Sequence, residues 1–170
     1  MRRRNFLKSA AGAAALTASP LAIAMTQQTT GADRLPQAAS LVGTWKLVRV
    51  MARTTDGSVR PSPYGPEGLG ILSLTADGRM MAMLGDGRRA VPQGVERRFV
   101  SYCGNFSFNG TSLVTHVDGS STPLTPIGSD QVRSIRMEGD LLVLSPPPAM
   151  IDGVLEYRDA FWQKISELSA

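Results

Sequence analysis

A chain of 170 residues, 42% hydrophobic and with a single cysteine, has the size of one domain held by its core, and no internal disulfide is possible. Its net charge of +4 comes from Arg2, Arg3, Arg4 and Lys8, because positions 1–24 hold no acid and the remainder balances 14 basic against 14 acidic residues. A neutral remainder gives no basic patch for nucleic acid, and one His (His116) with one Cys (Cys103) cannot fill a His/Cys zinc site.

The chain opens Met1-Arg2-Arg3-Arg4-Asn5-Phe6-Leu7-Lys8. An uncharged, Ala-rich run follows from Ser9 and ends at Ala22-Ile23-Ala24. A charged start, a short apolar stretch and an A-x-A end describe a signal peptide over 1–24. The run is shorter than the roughly 20 apolar residues of a spanning helix, and Gly12, Thr17, Ser19 and Pro20 interrupt it, so no stable membrane span is expected. Arg3-Arg4-Asn5-Phe6-Leu7-Lys8 resembles the twin-arginine signal pattern. That resemblance implies the twin-arginine translocase as a partner during export, a cargo that crosses already folded, and a periplasmic or secreted working form. Taking 24 from 170 leaves 146 residues. Positions 25–37 read as a flexible leader and 38–168 as the domain, opening with one helical turn.

From there the punctuation is that of a β protein. Strands are predicted over Trp45–Ala52, Leu69–Leu74, Arg79–Leu84, Tyr102–Phe108, Thr111–Val117, Asp130–Met137, Leu141–Ser145 and Val154–Ile165. Turns fall at Asp56-Gly57, Asp77-Gly78, Asn109-Gly110 and Glu138-Gly139-Asp140, and Pro61–Gly68 is a proline-rich loop. A short helix near the mouth is expected over Val95–Val100. Eight short antiparallel strands joined in order favour an up-and-down barrel, whose interior is filled by side chains or holds one small ligand.

Leu41-Val42-Gly43-Thr44-Trp45-Lys46-Leu47-Val48, with its G-x-W element, resembles the opening of the bacterial lipocalin-like domain family. Tyr64-Gly65-Pro66, the run Gly70–Met80, Tyr102-Cys103-Gly104, Gln131-Val132-Arg133 and Glu138-Gly139-Asp140-Leu141 extend the likeness over nearly all of 41–165. The resemblance implies an all-β, eight-stranded, calycin-type barrel, with Gly43 and Trp45 as structural residues at its closed end. Where the family closes with an aromatic followed by arginine, this chain reads Phe161-Trp162-Gln163-Lys164, so Lys164 would cover Trp45 with its stem. The segment before Tyr102 is shorter than the family's, which implies a more open mouth. Barrels of this kind include carriers of hydrophobic compounds and a few cyclases and isomerases.

Alternation selects the candidate ligand contacts. Ile135 and Met137 share a face with Gln131 and Arg133; if that face is inside, Arg133 is placed to hold a carboxylate, and if the face of Val132 and Ser134 is inside, Arg133 is solvated. Tyr102 shares a face with Phe106 and Phe108, and Tyr64 sits in the loop that would cover the mouth. Met80 is split from Met81 and Met83. This weighs against a copper(I) thioether site and for a flexible apolar lining by Met81 and Met83. His116 goes inside only if Val114 does; if Leu113, Thr115 and Val117 are inside, it faces out. Cys103 reads as a small buried side chain.

No phosphate loop, nucleophile elbow or paired-cysteine motif is present, no catalytic set can be assembled, and no cofactor is implied. Three readings stay open. One is a binding module for a small hydrophobic or amphipathic molecule. The second is an isomerase, cyclase or hydratase of the same fold. The third is a barrel packed solid. A cavity of about 300 Å³ or more, the lower end of usual ligand pockets, would separate the first two from the third.

Overall fold

A computed structural model describes residues 35–166. The signal segment and most of the leader lie outside the described residues, as do 167–170. The chain forms a short helix α1 (Ala38–Leu41) and ten strands: β1 (Gly43–Thr54), β2 (Val59–Arg60), β3 (Gly68–Leu74), β4 (Arg79–Asp86), β5 (Phe99–Phe108), β6 (Ser112–Ser120), β7 (Asp130–Glu138), β8 (Leu141–Ser145), β9 (Ala149–Ile151) and β10 (Val154–Ser166). Eight of them, β1, β3 to β8 and β10, run antiparallel in that order, and β1 pairs with β10 to close the barrel. The two-stranded extensions β2 and β9 lie on β1 and β10 and were not expected from sequence. The helix expected over 95–100 is absent. Residues 95–98 carry no regular structure and Phe99 already begins β5; the one short helix is the turn at 38–41.

Period-two alternation fixes what lies inside. Leu72 and Leu74 on β3, Met80 and Ala82 on β4, Tyr102 on β5, Leu113 and Val117 on β6, Ile135 on β7, Leu142 and Leu144 on β8 and Trp162 on β10 form one buried cluster. The lengths of the connections then give the barrel two unlike ends. The β3–β4, β5–β6 and β7–β8 hairpins turn in a few residues, whereas the segments 61–67, 87–98 and 121–129 are long. The tight turns gather at the end plugged by Trp45, which is only 2% exposed. Its indole nitrogen donates to the Leu41 carbonyl at 2.9 Å, so α1 is a cap for this plug. Lys164 covers the same ring at 5.5 Å from the ring centroid and donates to the Ser40 carbonyl at 3.3 Å. The lysine stem and charge thus do the covering that an arginine would otherwise do.

The β5–β6 pair carries a bulge. Cys103 faces Gly119 and Gly104 faces Val117, so Asp118 is the extra residue and its carboxylate is carried outward to Arg79. The close approach of the strands here requires Gly104. A Cβ on it would lie 1.9 Å from the His116 carbonyl oxygen and 2.8 Å from the carbonyl carbon, both backbone atoms that no rotamer change can move. Gly104→Ala is therefore expected to cost roughly 2–4 kcal/mol. Urea denaturation monitored by far-UV circular dichroism checks this, and a midpoint equal to that of the native chain would contradict it.

Candidate functional site

Above the Trp45 plug the barrel holds a cavity of about 200 Å³. Leu72, Met80, Ala82, Leu144, Ala160 and Trp162 form its floor and walls. Pro63, Tyr64 and Leu124, from the long loops, reach over it. The volume is below the roughly 300 Å³ that would by itself separate a binding barrel from one packed solid, so binding is supported instead by how the lining is divided between apolar walls and polar groups. At roughly 30 Å³ per water it equals about seven waters, and an apolar cavity of about 150 Å³ already accommodates benzene. The space matches a compact, single-ring molecule, and anything longer would extend past Pro63 and Leu124 toward the mouth.

The polar groups of the lining sit together toward the mouth. Arg133 donates to the Val132 carbonyl at 2.7 Å and to Gln131 Oε1 at 3.2 Å. Gln131 is oriented in turn by donating to Ser129 Oγ at 3.2 Å, and Ser129 donates to the Pro126 carbonyl at 2.6 Å. Arg158 also lines the cavity but is bound through Nε by Glu156, a buried carboxylate that Arg60 also approaches at 3.7 Å. Thr125 is buried against Ser120, their hydroxyl oxygens 2.6 Å apart. Burial pushes the Tyr64 hydroxyl up, against the opposing pull of Arg98 and Arg158, so it stays a neutral donor at ordinary pH. Trp162 is buried, and its indole N–H finds no acceptor among the described residues.

A latch holds the Tyr64 loop. Asp86 ends β4 only 5% exposed, and Arg88 binds it in a bidentate fork, Nε donating to Oδ1 at 2.9 Å and Nη2 to Oδ2. Arg97 donates to the Asp86 carbonyl at 2.7 Å, and the Gly87 amide donates to the Glu67 carbonyl at 2.8 Å. The Arg88 guanidinium lies flat against Gly65, where φ is +72° and a Cβ would come within 3.2 Å of Nη2. A glycine is needed here on both counts, and the residue it positions is Tyr64.

Tyr64, Tyr102, Gln131 and Arg133, read from alternation and loop position, are brought together on this cavity. Met81, Met83 and His116 are not. Met81 is 61% exposed, because the inward residues of β4 are Met80, Ala82 and Leu84; Met83 shares the outer face of Met81. A run of three methionines gave no polar contrast from which to read the parity, and Met80 does the lining expected of its neighbours. His116 also faces outward, its side chain 62% exposed, and Nδ1 meets Asp130 Oδ1 at 2.9 Å across the β6–β7 pair. Leu113, Thr115 and Val117 take the inner face. Cys103 is half-buried beside Asp118, on the outer side of the bulge; burial first, then that carboxylate, push its thiol up, which keeps it protonated. The sequence reading missed Trp162, Ala160 and Arg158. Their signal was present in β10, whose residues 158, 160 and 162 alternate with Asp159, Phe161 and Gln163, but Trp162 and Phe161 are both large and apolar and hid the parity.

A family model described as a lipocalin-like domain matches residues 42–164. No curated protein matches the chain. Among the described residues no helix is long and apolar enough to cross a membrane, and no group of three His, Cys, Asp or Glu is placed to hold a metal ion.

The latch has a pH signature. The Arg88 fork first, opposed by burial, holds the Asp86 carboxyl down to about 2 from an unfolded value near 3.8. A carboxyl depressed on folding stabilises the native state above its unfolded value and loses that contribution as the pH falls through its folded value. Between about pH 4 and pH 2 the native chain is expected to lose stability faster than Asp86→Asn, as read from urea midpoints at successive pH values. Parallel curves for the two proteins would show that the fork contributes nothing.

Proposed function

The chain belongs to the lipocalin-like domain family, and from that membership we propose that it works as an exported binding protein for a small hydrophobic or amphipathic molecule held inside its barrel. The observation that carries the reading is the cavity itself, with apolar walls below and polar side chains gathered at one end. A molecule with an apolar body and one polar head matches that division. The size narrows the ligand to about one ring. This polar set converges without His116, which favours holding and orienting a ligand over the proton transfer of an isomerase, cyclase or hydratase. Export to the periplasm or beyond rests on residues 1–24, with the twin-arginine translocase as the route.

Filling the cavity tests the binding. Ala160→Leu adds apolar volume to the wall and is expected to raise the stability of the empty protein by about 1 kcal/mol. The same change should abolish uptake of benzyl alcohol and cyclohexanol, as followed by ligand-observed NMR, whereas His116→Ala should leave uptake as it was. A native chain that takes up neither compound would sink the reading. Export is tested separately. Arg3→Lys combined with Arg4→Lys should hold the full-length precursor inside the cell, as read by immunoblot of cell fractions, while an unchanged exported fraction would assign the signal to the general secretory route.

A further inference from the structure

We propose that the molecule held in the barrel is a carboxylate, a single-ring or short branched acid whose anionic head is bound by Arg133. The inference rests on the reading of the barrel as a binding site and adds the chemical class of what it binds. It comes from the charges facing the cavity. The lining includes two arginines and no aspartate or glutamate. Arg158 is already matched by Glu156. Arg133 has only neutral partners, the Val132 carbonyl and Gln131 Oε1. A half-buried guanidinium whose partners are all neutral has no opposite charge beside it, and an anion entering the cavity would supply one.

The head group is also held ready. Two of its five N–H donors are engaged and the Ser129–Gln131 relay orients the head group, which leaves three donors, enough for both oxygens of a carboxylate. Tyr64, close over the site and kept neutral, supplies a hydroxyl donor from the loop side. Arg98, in electrostatic reach of Tyr64, adds positive potential outside the cavity, which raises the local concentration of an anion. The apolar walls account for the rest of the ligand. Inorganic anions leave them unused, and a single-ring or short branched acid fills the volume of about 200 Å³ without extending out of the mouth.

The test compares a charged with a neutral probe of one shape. Benzoate and benzyl alcohol are titrated by calorimetry into the full-length mature chain, Arg133→Gln and Arg133→Lys. Benzoate is expected to bind roughly ten- to a hundredfold more tightly than benzyl alcohol, the range of a charge-assisted contact. Arg133→Gln should remove that preference and leave benzyl alcohol within about twofold, and Arg133→Lys should restore part of it. In the native chain, benzoate affinity should fall on raising the salt from low to about 1 M while that of benzyl alcohol holds, which tests the clamp without any variant. Equal affinity of the native chain for the two probes overturns the carboxylate assignment and leaves the cavity reading standing. A preference for benzoate that survives Arg133→Gln overturns the role of Arg133. Binding of neither probe overturns both this inference and the binding function beneath it.

Discussion

The pairing of β1 with β10 is the interaction on which the rest of the molecule depends. Without it the ten strands would make an open sheet with unpaired hydrogen-bonding edges, a form that invites association. With it, the inner faces converge and apolar side chains from all sides meet. The register of this one joint sets both ends of the barrel. Trp45 faces Lys164, so the plug and the cation covering it are cross-strand neighbours; Leu47 faces Trp162, which places the cavity floor one step above the plug. Any slip along the joint would separate the plug from its cover and turn Trp162 out of the interior.

The two ends divide the labour. Tight turns, a capped tryptophan and a dense cluster give the closed end its rigidity. The long loops at the other end carry Tyr64, Leu124 and Thr125, and they are tied down by side chains: Asp86 with Arg88 beside Gly65, and Ser120 with Thr125. Elsewhere on the surface, arginines are paired with acids, as Arg79 is with Asp118 and Arg53 and Arg136 are with Asp159. The exposed Arg79–Asp118 pair adds little to stability, whereas Asp159 is buried and needs its arginines. Of the two arginines that line the cavity, Arg158 is paired with Glu156, whereas Arg133 meets only neutral partners.

Much of the fold was legible because it rests on local rules. Glycine- and asparagine-rich turns marked the hairpins, and strands such as Arg79–Asp86 began where the turn chemistry said they would. Inner faces were legible wherever a polar residue contrasted with an apolar one, as at Tyr102 against Asn105 and Ser107. They were illegible where both faces were apolar. The methionines of β4 and the Phe161–Trp162 pair of β10 are of that kind, and each cost a correct lining residue. The outward turn of His116 follows from Leu113, Thr115 and Val117 taking the interior, which becomes apparent only once β7 is laid beside β6. The volume of the cavity could not be read from sequence at all, because it is the small residue left over when side chains from seven strands have been packed. Likewise the bulge at Asp118 has no motif; it follows from how closely Gly104 lets two strands approach.

One part of the wall is unlike the remainder. β1 pairs with β3 only from Gly43 to Lys46, and it meets β2 only at Ala52 and Arg53. Between these, Val48 and Val50 look across a groove at Pro61, Ser62 and Pro66, and prolines have no N–H with which to continue a ladder. The wall there is held by side-chain contact instead of a row of backbone hydrogen bonds. Val50 borders both this groove and the cavity. Along this flank the barrel lacks the ladder that joins its other neighbouring strands, and over that stretch one side chain, Val50, stands between the cavity and the outer groove.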